Sequence, residues 1–150
     1  MQLTSHTDYA LRLLMYLMLY KEERVSVKHV ASLYHISAHH LAKVASRLAS
    51  LGWIQSHRGH GGGLAIMPGT DQLSVAEVVR ALEPSLRIVE CFGSPHACPL
   101  SPACKLKFAL HQASQAFLTV LDDYPLYTLV EEPDLLRSLI DPQKSTDPSS

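Results

Sequence analysis

Apolar residues recur at helical intervals along most of this 150-residue chain, and the runs break where capping and turn residues fall. Between Thr4 and Tyr20 they stand at Tyr9, Leu13, Tyr16, Leu17 and Tyr20, one face of a helix that Thr4 or Ser5 would cap. Val27, Val30, Ala31 and Leu33 predict a helix of about two turns over Ser26 to Leu33. A turn at Tyr34-His35-Ile36 follows, and Ser37 then caps a second helix carrying Leu41, Val44, Ala45, Leu48 and Leu51, with Gly52 as its stop. Two short apolar runs around a glycine-rich tip, within WIQSHRGHGGGLAIMP, read as a strand-turn-strand.

Ser74 and Glu77 form a capping box before Val75, Val78, Val79 and Leu82, and Pro84 ends that helix. Ser101 and Pro102 suit the N-cap and first position of a long helix reaching Asp123. On it Leu106, Leu110, Ala113, Phe117, Val120 and Tyr124 recur as a heptad-like seam. Tyr124 to Glu132 reads as a short continuation, Pro133 to Ile140 as a turn or two of helix, and Asp141 to Ser150 as a disordered tail.

The pattern predicts a mainly α fold with a small β-wing: a winged helix-turn-helix domain plus a long dimerisation helix. Its expected divisions are 1–84 for the winged helix-turn-helix, 85–104 for a cysteine loop, 101–132 for the dimerisation helix with its continuation, and 133–150 for the C-terminal segment. The seam Leu106, Leu110, Ala113, Phe117 and Val120 predicts packing across a two-fold axis, the alternative being a core helix of the same subunit. No apolar run is long enough for a membrane span, and the start lacks a basic, then apolar, export signal. With an odd number of cysteines, the expected setting is a reducing cytoplasm.

Net charge is only −1, yet the charge is segregated. From Arg24 to Thr70 there is no Asp or Glu, while Arg24, Lys28, Lys43, Arg47 and Arg58 and six histidines lie there. A locally basic segment on a helix-turn-helix is the footprint of duplex DNA. Candidate contacts are Lys28, Ser37, His39, His40, Lys43 and Arg47 from the helices, with Arg58 and His60 from the wing. The ordinary alternative is a solvated face, but such faces usually mix signs. Gly61 to Gly63 lack the Lys-Ser/Thr of a nucleotide loop, so that reading is set aside.

All three cysteines, Cys91, Cys98 and Cys104, fall within CFGSPHACPLSPAC. A Pro/Gly/His loop offers little for buried thiols to pack against, and no base partner stands at a motif spacing for a catalytic nucleophile. Zinc, with His96 as a fourth ligand, and an iron-sulfur cluster both suit three thiolates, and the residues alone do not choose between them. Asp8 reads as a first-turn carboxylate that complements the helix dipole, with Arg12 four residues on. No paired carboxylates or nucleophile-base set suggests an enzyme.

MQLTSHTDYALR, SAHHLAKV, RGHGGGLAI, AEVVRALEP and the three-cysteine loop followed by LKFAL resemble the nitric-oxide-sensing repressors of the NsrR type. These belong to the wider family of iron-sulfur winged-helix regulators that includes the IscR type. The likeness runs from Met1 to about Glu132. It implies a homodimeric repressor of an inverted-repeat operator, with one cluster per subunit on Cys91, Cys98 and Cys104. The cluster would be 4Fe-4S in preference to 2Fe-2S, with a fourth ligand from the partner's first helix at the position of Asp8 and nitric oxide as signal. A relative that reads cluster supply or redox state would share these residues, and a zinc-stabilised module that binds protein is the rival of another class.

Overall fold

Helix α1 (Ser5–Leu19) forms the centre of the molecule, because its sequence leaves few polar positions to face water. Thr4 caps it by accepting the Thr7 N–H, and Thr7, Ala10, Leu13, Leu14, Tyr16, Leu17 and Leu19 are all buried. Burial is therefore wider than the single face read from the spacing: Ala10, Leu14 and Leu19 are covered too, since other elements pack around α1 on several sides. The computed structural model describes residues 2–57, 59, 61–93 and 98–142.

Helix α2 (Val27–Leu33) and helix α3 (Ala38–Ser50) follow as predicted. The turn between them places His35 at φ 54°, in the left-handed region, and lets the Ile36 N–H reach the Ala31 carbonyl at 2.8 Å. Helix α3 ends in a Schellman motif: Gly52, at φ 76°, donates to Ala49 and Trp53 donates to Leu48. Strands β1 (Ile54–His57) and β2 (Gly63–Ile66) then pair antiparallel, Ile54 opposite Ile66 and His57 opposite Gly63. The wing is fastened to the body by Val25, which exchanges backbone hydrogen bonds of 2.9 and 2.8 Å with Leu64. At Gly63 a Cβ would lie 3.0 Å from the Val25 carbonyl oxygen, so this contact depends on a missing side chain.

Helix α4 (Val75–Leu82) carries the predicted capping box, with Ser74 N–H donating to Glu77 at 2.7 Å and Glu77 N–H to Ser74 at 3.1 Å. Helix α5 (Lys105–Asp122) lies against it through the buried Ser114 and Leu118 and through a two-pronged ion pair, Arg80 to Asp122 at 2.6 and 2.7 Å. The start of α5 differs from the expectation. Ser101 and Pro102 belong to a separate 3-10 turn, Ser101–Ala103, and Cys104 is the N-cap, its Sγ accepting the Lys107 N–H at 3.4 Å.

The predicted continuation after Tyr124 is also broken. Pro125 cannot donate, and Leu126 instead gives its N–H to Leu73 at 2.8 Å while Val75 donates to Tyr124 at 2.9 Å. The chain then makes a 3-10 turn, Leu126–Val130, with Leu126 fully buried. Helix α6 (Pro133–Ile140) returns to α1, where Arg137 donates to the Leu19 carbonyl at 2.6 and 3.2 Å and caps a helix end 118 residues away. Asp141, read from sequence as part of the tail, is buried and lies 3.3 Å from His29 Nε2, so it belongs to the folded body. The remainder of that predicted tail, residues 143–150, lies outside the described residues.

Candidate functional site

Leu41, Val44, Ala45 and Leu48 turn one side of α3 into the core, which fixes what the other side presents. At 100° per residue the outward stripe is His39, Lys43, Ser46 and Ser50, all exposed. Ser46 is absent from the residues singled out by charge, yet the helical period places it on this stripe, next to His39 on the side away from Lys43. His40 and Arg47 occupy the flank. His40 lines a cleft with Ser5, His6 and Tyr9 of α1, and Arg47 donates to the Ala81 carbonyl at 3.4 Å, at the end of α4. Ser37 accepts the His40 N–H at 3.5 Å as the N-cap, and Lys28 is exposed on α2. Arg58 and His60 lie outside the described residues, so the wing-tip expectation has no structural counterpart here.

The thiol loop is spliced between α4 and α5. Cys91 sits in a 3-10 turn, Glu90–Phe92, Cys98 opens the turn in which its carbonyl accepts the Ser101 N–H at 3.0 Å, and Cys104 caps α5; all three are half-buried free thiols. His96 lies outside the described residues. Among the described residues no three His, Cys, Asp or Glu side chains are grouped closely enough to hold a metal ion, so the sulfurs are not gathered in this conformation. Their chemistry nonetheless suits a soft metal: none is consumed in a disulfide, so all three sulfurs are available as ligands. Cys104 also lines a hollow of about 860 Å³ with Arg87, Phe92, Lys107, Phe108 and His111.

Asp8 is half exposed and held by Arg12 at 2.8 Å within its own helix. In the single chain it is the intrahelical partner that the i,i+4 spacing predicts. The seam of α5 is divided. Leu106 and Val120 are 67% and 56% exposed, and Ala113 and Tyr124 are exposed too, whereas Leu110 is half-buried and Phe117 packs on the core of its own subunit.

A link that sequence reasoning missed joins the two regions. Glu83, the last residue before the loop's first proline, accepts the Thr4 N–H at 2.8 Å and the Thr4 hydroxyl at 3.0 Å. The partners are 79 residues apart, and no local signal marks them. Partial burial pushes the Glu83 carboxyl up, but hydrogen bonds from Thr7 and Thr4 outweigh it and hold the group below the ordinary carboxylate range. A lowered folded-state value stabilises above the unfolded pKa, and that stability is lost as pH falls through the folded one. Glu83→Gln is therefore expected to cost about 1 kcal/mol at neutral pH and to flatten the loss of stability below about pH 4. Thermal melts at a series of pH values check this; parallel acid limbs for the two proteins would count against it.

A helix-turn-helix with an acid-free exposed stripe, followed directly by a two-stranded wing, defines a winged-helix DNA-binding regulator. The chain belongs to the Rrf2 family, described as an iron-dependent transcriptional regulator, which residues 3–132 match. It is 44% identical to the HTH-type transcriptional regulator NsrR of Geobacillus kaustophilus over 142 residues, covering 93% of this chain and 97% of that one. With NsrR of Bacillus subtilis the identity is 40% over the same length, 93% of this chain and 97% of the relative. The fold is shared with oxidised CymR of Staphylococcus aureus, at TM-score 0.69 and 24% identity over 87% of this chain and 97% of that one. It is shared also with IscR of T. potens, at TM-score 0.69 and 18% identity over 100% and 94%. Its relatives are named as regulators of transcription, a role that needs no catalysis. Among the described residues no helix is long and apolar enough to cross a membrane.

Proposed function

We propose that the chain is a homodimeric repressor that binds an inverted-repeat operator and is released from it by nitric oxide, sensed at an iron-sulfur cluster. The observation that carries this reading is the placement of the thiol loop. One end is tied through Glu83 to the start of α1, and the other is Cys104, the cap of α5. Drawing the three sulfurs together therefore pulls the seam helix against the body that carries α3.

Cys91, Cys98 and Cys104 would hold the cluster, 4Fe-4S in preference to 2Fe-2S, with Asp8 of the partner subunit as fourth ligand. When bound, the cluster supplies iron centres that react with nitric oxide. To serve as a ligand Asp8 must leave Arg12, and an exposed ion pair of this kind holds it by only about 0–1 kcal/mol. With these four groups engaged, the two α3 helices keep a fixed separation; with them released, the spacing needed for half-sites about one helical turn apart is lost. Duplex contacts fall to His39 and Lys43 on the outward stripe and to Lys28, Ser37, His40 and Arg47 beside it, with Arg58 and His60 at the wing tip.

The test is anaerobic isolation with iron and sulfide quantitation, followed by operator binding before and after stoichiometric nitric oxide. Brown protein that binds and then releases supports the reading, and serine at any of the three cysteines should remove the colour. Equal operator binding by cluster-loaded and cluster-free protein would remove the switch. Release by oxidant but not by nitric oxide would favour the redox-sensing relative. Colourless protein holding zinc and indifferent to DNA would favour the protein-binding module.

A further inference from the structure

Helix α3 has two flanks, and they differ. An α-helix with its side chains is about 10–12 Å across and the major groove about 12 Å wide, so the phosphates that wall the groove must pass along the flanks of a helix lodged in it. Toward its C-terminal half one flank is closed, because Arg47 is turned onto the Ala81 carbonyl. Toward its N-terminal half, the part that leads into the groove, the same flank opens into a cleft of about 340 Å³ between α3 and α1. Its walls carry His6 and Tyr9 from α1 and His40 and Lys43 from α3.

Beside the apolar Val44, the cleft is lined by side chains that can donate: the Ser5 and Tyr9 hydroxyls, the Lys43 ammonium and one ring nitrogen of each imidazole. No hydrogen bond within the described residues engages the side chain of His6, Tyr9, His40 or Lys43; the His40 backbone N–H alone is used, by Ser37. Of the nearby carboxylates, Asp8 is held by Arg12, and Glu83 takes its hydrogen bonds from Thr4 while lying close enough to His6 to interact with it electrostatically. The α1 terminus itself is not the attraction, since Thr4 takes the Thr7 N–H and Glu83 takes the Thr4 N–H. What remains is a concave recess at the edge of the outward stripe, with the Lys43 ammonium as its fixed positive charge. Lys43 belongs to both, which sets the recess at the boundary between base edges and backbone.

We propose that this recess seats one backbone phosphate of each operator half-site, with Tyr9 and His6 as donors from α1 that complete a clamp begun by Lys43 and His40. The inference rests on the DNA-binding reading above and extends its surface from α2, α3 and the wing to the first helix. A duplex anchored there would be registered against α1, the same helix that Glu83 ties to the thiol loop, so phosphate grip and sensor would share one element.

The test uses the full-length dimer and an operator selected by the wild-type protein from a random-sequence duplex pool. Uncharged methylphosphonates are placed singly along each strand, and binding is followed by fluorescence anisotropy. The wild type is expected to lose about tenfold in affinity at one backbone position per half-site, beside the groove that receives α3. Tyr9→Phe, which keeps the ring, and His6→Ala should each bind the unmodified operator several-fold more weakly and lose the penalty at that position alone. Variants that bind like the wild type, with the full methylphosphonate penalty, overturn the phosphate seat while leaving DNA binding intact. Weaker binding with an undiminished penalty would reduce both residues to structural roles and also overturn it. A wild-type protein that selects no duplex defeats the DNA-binding reading and this inference together.

Discussion

Replacing Leu48 by alanine is expected to lower the stability of the fold by about 3–4 kcal/mol, out of the roughly 5–15 kcal/mol that holds a domain of this kind together. Leu48 is fully buried on the inward face of α3, inside the cluster built from α1 and the wing. Its truncation removes transfer free energy and leaves a hole that the surrounding helices fill only in part, because Leu13, Leu14 and Leu17 are already fixed by packing on every side. The melting temperature should fall by roughly 6–16 °C, at about 2–4 °C per kcal/mol for a chain of this size. In urea the midpoint should move with no change in slope, the mark of a cavity rather than of a rearranged unfolded state. Leu48→Met, which conserves volume, should cost less than about 1.5 kcal/mol. A loss below about 1 kcal/mol for alanine would mean that α3 does not pack on α1 as described.

Glutamate at both Leu106 and Val120 is expected to leave the subunit folded and split the proposed dimer. Both side chains are more than half exposed, so the single chain does not need them, and charge there meets water. Across a two-fold seam the same charges would face their own copies in an apolar contact. Phe117 is unsuitable for this test, because it also packs on its own core. Sedimentation velocity should show a monomer, with melting no longer dependent on concentration. Operator affinity should fall by about 10²–10⁴, the gain that two linked half-site contacts provide over one. A double variant that still sediments as a dimer would move the interface off this face of α5.

Much of this architecture is legible in the chain because its signals are local. Ser37 and Gly52 bracket α3, Ser74 and Glu77 open α4, and the glycine-rich tip between two short apolar runs marks the wing. The misread positions are those decided by distant partners or by an ambiguous cap. Cys104 is a weak N-cap signal beside Ser101 and Pro102, yet it caps α5 while they build only the preceding 3-10 turn. Asp141 sits in a stretch whose composition reads as tail, yet it is buried and faces His29, more than a hundred residues earlier. Arg137 on Leu19 and Glu83 on Thr4 are likewise invisible to spacing. The candidate site divides in the same way. The outward stripe of α3 follows from period and charge, whereas the contribution of α1 to its flank needed the helices placed side by side.

The walls around α1 bear on how a signal can travel. Close-packed interiors compress little, so a helix enclosed by neighbours cannot bend without moving them. A tug on Thr4 at one end is thus delivered to Leu19 at the other, where Arg137 grips the final carbonyl. Such a helix works as a strut. Its displacement would swing the whole reading head as a rigid piece instead of melting any part of it.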